Sequence, residues 1–167
     1  MKISKCFLWI VVGLFVNTAY ASEEVVMHFT TSKGVGKSVG TITLENTPYG
    51  LLLTPHLSHL EPGAHGFHIH EIPNCDDNGN AAGGHFDPKK TGKHLGPYND
   101  KGHLGDLPVL VVNEQGQATL PVLAPRLKLA ELRGHSIMMH EHGDNYSDFP
   151  EKMGGGGGRR ICGVIKQ

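Results

Sequence analysis

Apolar and polar residues alternate, or apolar residues run on, over strand length in eight stretches of the chain. They are EVVMHFTT (24–31), SVGTITLE (38–45), GLLLTPHL (50–57), HGFHIHE (65–71), PVLVVN (108–113), QATLPVLA (117–124), GHSIMMHE (134–141) and RICGVIK (160–166). Successive side chains of a strand point to opposite faces, so such patterns suit strands with one buried face. Glycine, proline and asparagine separate them. Helical spacing shows only in LAPRLKLAELRG (123–134), whose proline and glycine leave room for a short piece at most. These patterns predict an all-β sandwich or barrel of about eight strands, without a repeat or a second domain. Asn113-Glu114-Gln115-Gly116 reads as a hairpin turn between LPVLVV and QATLPVL.

Two segments break the rhythm: residues 72–106, rich in Gly, Asn, Asp and Pro, and residues 142–160, which end in GGGGGRR. Loops of that length in a compact domain are functional or disordered. The first holds His85, His94 and His103, and the second begins just after His140. Both are expected to be walls of one site.

Length and composition fit one globular domain able to bury a core, and 12 histidines stand out. At the N-terminus two lysines precede the apolar run CFLWIVVGLFV, and Ala19-Tyr20-Ala21 offers small residues for cleavage. Residues 1–21 are therefore expected to be a cleaved secretory signal peptide, since the run is well short of the roughly 20 residues that span a bilayer. The mature domain is then 22–167. Cleavage removes Lys2 and Lys5 and no acid, which moves the formal charge from −1 to −3. With no basic tract, nucleic-acid and membrane partners are disfavoured. Cys6 leaves with the leader, so Cys75 and Cys162 remain as the only thiols in an oxidising compartment. They can form one intramolecular disulfide, with two free thiols or an intermolecular bond as the alternatives.

In GFHIHE (66–71), His68 and His70 share one strand face while Phe67 and Ile69 take the other, so both imidazoles can converge on one ion. The loop histidines His85, His94 and His103 recur nine residues apart, and Asp106 follows in HLGD. Three imidazoles and a carboxylate suit tetrahedral zinc. SIMMHEH supplies His140, which could join His68 and His70 in a nitrogen-rich site suited to Cu(II), with a position left for a bridging group. Protease and hydrolase chemistry has no handle, because H-E-x-x-H and G-x-S-x-G are both missing. GGGGG lacks the Lys-Ser/Thr ending of a phosphate loop and reads instead as a hinge passing close to the metal. His65 reads as a structural, hydrogen-bonded histidine, His28, His56 and His59 as ordinary strand or loop residues, and His142 as a side chain splayed to solvent, with a competing ligand on the parity of His140 as the alternative.

GFHIHE, AGGHFDP, HLGD, HEHGDNYSD and GGGGGRRICGVI, in that order, resemble copper,zinc superoxide dismutase of the bacterial periplasmic type. The resemblance implies an eight-stranded Greek-key β-barrel, a flattened sandwich with two long functional loops. It implies copper held by His68, His70, His85 and His140, zinc held by His85, His94, His103 and Asp106, and His85 as the bridge. It further implies a Cys75–Cys162 disulfide, Arg159 as the guanidinium beside the copper, three residues before the cysteine, and Asp144 joining histidines of the two metals through their outer N–H groups. Superoxide is the implied substrate, the periplasm the implied compartment, and a homodimer or a monomer the implied assembly. Since the mature chain is acidic, the anion must be drawn locally, by Arg159 and by Lys89, Lys90 or Lys93 if they flank the mouth. A periplasmic metal carrier on the same barrel and a disulfide-stapled adhesion sandwich are the competing classes.

Overall fold

The computed structural model describes residues 21–166, so the expected signal peptide lies, but for its last residue, outside the described residues. The elements are strands β1 (Ser22–Thr31), β2 (Gly34–Thr47), β3 (Gly50–Leu57), β4 (Gly63–His65), β5 (Phe67–His70), β6 (Leu110–Val112), β7 (Val122–Ala124), β8 (Ser136–His140) and β9 (Arg159–Val164), with short 3₁₀ turns between some of them. Seven strands form one antiparallel sheet in the order β5-β8-β9-β1-β2-β3-β7, and β4 pairs with β6 in a second. The chain passes from β7 at one end of the large sheet to β8 near the other, the crossing connection of a Greek key. The fold is the all-β flattened barrel that the patterning and the resemblance imply. LAPRLKLAELRG contains a single 3₁₀ turn, Leu129–Glu131, as its proline and glycine require.

Two details differ from the sequence pattern. HGFHIHE is not one strand but two: the chain changes sheets at Gly66, whose N–H bonds to the His142 carbonyl and whose C=O accepts from the N–H of His140 at the end of β8. The turn at Asn113–Gly116 forms, with Gly116 N–H on the Asn113 carbonyl, yet it joins no hairpin. Its flanking strands pair elsewhere, β6 with β4 and β7 with β3, because each finds its buried partner in a different sheet.

Strand parity decides where the core ends and the site begins. Phe67 and Ile69 of β5 and Ile137 and Met139 of β8 lie in the main core with Met27, Ile42, Leu44, Leu53 and Leu110. The opposite face of the same two strands carries His68, His70, Met138 and His140, with His68 opposite Met138 and His70 opposite Ser136. Met138 packs there on Ala82 and the Cys75–Cys162 disulfide, which bridges 87 residues. Closing so long a loop stabilises the folded chain by about 4 to 5 kcal/mol on the chain-entropy account.

Candidate metal centre

β5 ends the large sheet, and the first long loop returns to cover its open edge. Phe86 N–H bonds to the Ile69 carbonyl (2.8 Å), Ile69 N–H to Gly105 (2.9 Å), and Leu107 N–H to Phe67 (3.2 Å). These backbone bonds bring His85 opposite His70 and Asp106 opposite His68. Gly105 has to be glycine, since a Cβ there would overlap the Ile69 carbonyl oxygen. Residues 21 apart in the loop are thus fixed beside the H-x-H strand by the same ladder logic that builds a sheet.

Two groups of convergent side chains result, each buried and each with its ligand atoms within 4.8 Å of one another. The first is His68, His70, His85 and His140; the second is His85, His94, His103 and Asp106. His85 belongs to both. In the second, the Nδ1 atoms of His85, His94 and His103 stand 3.0, 3.1 and 3.3 Å from the single oxygen Asp106 Oδ1. Those spacings match the edge of a tetrahedron with metal–ligand bonds of about 2.0 Å. The other carboxylate oxygen, Oδ2, is occupied by the N–H groups of Leu95 and Gly96, which leaves Oδ1 for an ion.

The ring nitrogens are sorted by what surrounds them. His68 Nε2 and His94 Nε2 each lie 2.8 Å from Asp144, on Oδ2 and Oδ1. His70 Nδ1 meets the Gly83 carbonyl (3.0 Å) and His140 Nδ1 the Gly157 carbonyl (3.4 Å). Each of these partners is an acceptor, so the nitrogen facing it must carry the proton. The second nitrogens of His68 (Nδ1), His70 (Nε2) and His140 (Nε2) are buried without a hydrogen-bond partner, and that of His94 (Nδ1) faces only Asp106 Oδ1, 3.1 Å away. Three lone pairs aimed inward and unpaired are costly in a folded protein unless an ion takes them. The residues therefore fit metal ions in both groups.

Electrostatics agree. Burial first, then the neighbouring His85, push the His68 and His70 pKa values well below the ordinary 6.5, with the Arg159 charge adding to the effect at His70. Burial likewise lowers His85, and takes His140 to about 4. Neutral imidazoles with free lone pairs are what a cation needs. In His94 burial opposes protonation but is outweighed by Asp106 and Asp144, and the pKa rises to about 9. Burial also works against ionisation of Asp106 and Asp144, yet the histidines bonded to them hold both well below the usual carboxylate range.

Arg159 opens β9 and turns its guanidinium onto the disulfide loop, donating to the carbonyls of Gly79 and Gly83, both at 2.7 Å. Gly83 also receives His70 Nδ1–H, so Arg159 and a member of the first group share an acceptor. Arg160, one residue on, faces away, within 3.9 Å of Glu61. His65 bridges the carbonyls of Glu61 and His140 (2.9 Å each), the structural part its position suggested. His142 is exposed and belongs to neither group. Lys89, Lys90 and Lys93 are exposed, and Lys89 lines a surface cavity of about 260 Å³ that none of the grouped histidines lines.

Two residues that the sequence reading passed over complete the enclosure. Asp144, Tyr146 and Asp148 alternate along the second loop, and each reaches the first loop or the segment just after it. Asp148 Oδ2 accepts His94 N–H (2.9 Å), and Tyr146 lies against Gly96 while its hydroxyl accepts Val109 N–H (3.0 Å). The period of two in DNYSD was the available signal. The glycine run packs on the same groups: a Cβ on Gly154, whose φ is +79°, would overlap the Asp144 carboxylate.

The family model for copper/zinc superoxide dismutase (SODC) matches residues 38–165. The Cu-Zn superoxide dismutase 1 of Salmonella typhimurium is 55% identical over 172 residues, covering 96% of this chain and 97% of its own length. The solved Cu/Zn superoxide dismutase from Brucella abortus superposes with a TM-score of 0.83 at 48% identity, over 87% of this chain and 100% of that one. The monomeric copper, zinc superoxide dismutase from Salmonella enterica, solved in solution, gives 0.78 at 53% identity, over 87% and 100%.

Proposed function

The chain belongs to the copper/zinc superoxide dismutase family, and we propose that it is an exported enzyme converting superoxide to oxygen and hydrogen peroxide at two metal ions that share one histidine. His68 Nδ1, His70 Nε2, His85 Nε2 and His140 Nε2 hold copper. The Nδ1 atoms of His85, His94 and His103 and Asp106 Oδ1 hold zinc. The observation that carries this reading is the set of three buried, unpartnered ring nitrogens of His68, His70 and His140, each on a histidine whose other nitrogen is committed to an acceptor, beside the three Nδ1 atoms gathered on Asp106 Oδ1.

Copper bound there would supply the Cu(II)/Cu(I) couple through which one superoxide is oxidised to oxygen and a second, with two protons, is reduced to hydrogen peroxide, while zinc, with no accessible redox couple, would secure the shared ring. His85, with Nδ1 beside Asp106, would carry a proton at Nε2 in the half of the cycle in which that nitrogen is free of copper and deliver it in the other. Asp144 accepts N–H bonds from one histidine of each group, which fixes both tautomers and both ring orientations. Arg159 attracts and orients the anion. The mature chain carries a formal −3, so this attraction is local, a single half-buried cation beside His70.

All seven ligand residues, Asp144 and Arg159 come from one chain, so the proposed enzyme needs no partner subunit to complete its site. The leader-like residues 1–21 and the Cys75–Cys162 bond support a single mature domain, 22–167, in the periplasm. Metal content of point variants tests the ligand sets. His140→Ala is expected to lose copper and turnover while keeping zinc, and Asp106→Ala to lose zinc first. Full copper and full activity in His140→Ala would contradict the assignment.

A further inference from the structure

We infer that Arg126, which lies outside both long loops, is a positioning residue that sets the zinc affinity of this enzyme by bracing the two legs of the loop that carries His94 and His103. The inference rests on the ligand assignment proposed above. Residues 93–103 form a loop closed at its neck by the bond from His103 N–H to the Lys93 carbonyl (2.9 Å). One leg carries His94 and the other His103, and among the described residues neither leg contains a strand or helix. Arg126 reaches in from the body of the barrel. Its Nε donates to the Pro97 carbonyl (2.7 Å), and its Nη2 to the carbonyls of His103 (2.7 Å) and Gly96 (3.3 Å). One rigid guanidinium thus touches both legs and bonds the main chain of a proposed ligand itself.

The base from which Arg126 reaches is firm. Ala124 and Leu127 on either side are buried, Ala124 is paired with Leu51 of β3, and Leu127 N–H closes a turn on the Ala124 carbonyl. Gly96, Pro97 and His103 are buried as well, so without the guanidinium their carbonyls lose a partner that water cannot readily replace. The cation also stands close enough to Asp106 and Asp100 for their charges to act on it, against the burial that lowers its pKa. Its positive charge opposes a second cation nearby, so what it offers the zinc ligands is the geometry of its three bonds and not its charge. A loose loop must be ordered when zinc binds, and that ordering weakens the affinity; a braced loop is ordered beforehand. The planar fork matters, because a lysine ammonium is a point donor that cannot span three carbonyls in two legs.

The test is chelator competition on the full-length mature, disulfide-bonded, copper-loaded protein, with wild type, Arg126→Ala, Arg126→Lys and Asp106→Ala measured side by side. Both Arg126 variants are expected to bind zinc about tenfold or more weakly with copper affinity within about twofold of wild type, the size of loss known for groups that orient ligands. Cobalt(II) substituted for zinc should lose part of its strong tetrahedral absorption in both variants. Arg126→Lys, which keeps the charge, should recover little. Zinc affinity within about twofold of wild type in both variants overturns the inference, as does an equal loss of copper and zinc, which would mark general loosening. If Arg126→Ala does not fold, Arg126→Lys decides by the same two criteria. Zinc retained by Asp106→Ala would overturn the ligand assignment, and this inference with it.

Discussion

A histidine is ready to serve as a ligand when an acceptor fixes the proton on one nitrogen and nothing answers the other, and His68, His70 and His140 meet that condition, while the second nitrogen of His94 faces only Asp106. The acceptors differ in kind. Asp144 serves one histidine of each group, whereas His70 and His140 use main-chain carbonyls of the loops. The histidines themselves were legible from type and spacing, as His68 and His70 show by parity alone. Tyr146, Asp148 and Arg126 were not, and Asp144 only through the resemblance, because a loop side chain or a turn arginine has at most a faint signature such as the period of two in DNYSD, and its partners lie from 23 to 76 residues away in sequence. Arg159 offers the sharpest residue-scale prediction. Arg159→Ala should keep both metals yet lose tenfold or more of the second-order rate, about the lower end of what field focusing supplies. Its salt dependence should flatten, Arg159→Lys should restore part of both, and Arg160→Ala, which faces Glu61, should change little. Arg160 proving the sensitive position would contradict the assignment.

Strands place half of the site and loops the other half, and the two were not equally readable. Alternation predicted which face of β5 and of β8 enters the apolar core, but not that the other face is buried as well. It did not reveal that the chain changes sheets at Gly66, nor that the Asn113–Gly116 turn joins strands of different sheets, because turn chemistry is local while pairing depends on which strand completes a buried face. The glycine run acts by close approach more than as a hinge. Gly154 and Gly92 both have positive φ, but only Gly154 crowds the site; a Cβ on Gly92 meets nothing within 4 Å. Gly154→Ala is therefore expected to displace Asp144 and weaken both metals, by about tenfold or more, whereas Gly92→Ala should cost only backbone strain of about 1 kcal/mol and leave metal binding alone. Equal metal affinities in the two variants, measured by chelator competition, would show that the second loop does not support the ligands.

For the molecule as a whole, the site that binds metal also sets how the metal-free protein responds to pH. His94 has a folded pKa of about 9 against 6.5 unfolded, so the stability it contributes is complete below pH 6.5 and is lost as pH rises through 9. His140, at about 4, works the other way: its contribution is complete above pH 6.5 and is lost as pH falls through 4, with His68, His70 and His85 acting in the same direction. Asp106 and Asp144 add to the acid side only below the usual carboxylate range. Urea titrations of metal-free protein should therefore find greatest stability near pH 6.5, a loss on the order of 3 kcal/mol towards pH 9 and a larger one towards pH 4. A flat profile would contradict the burial and pairing described. The central claim is that one imidazole, His85, is shared by two different metals. Anomalous diffraction from crystals of the metal-loaded protein at the copper and zinc absorption edges tests it directly. The account predicts two peaks about 6 Å apart on either side of the His85 ring, since one imidazole and two bonds of about 2.0 Å separate them. The copper peak should lie among His68, His70 and His140, and the zinc peak among His94, His103 and Asp106. A single peak, or two that do not flank His85, would contradict it.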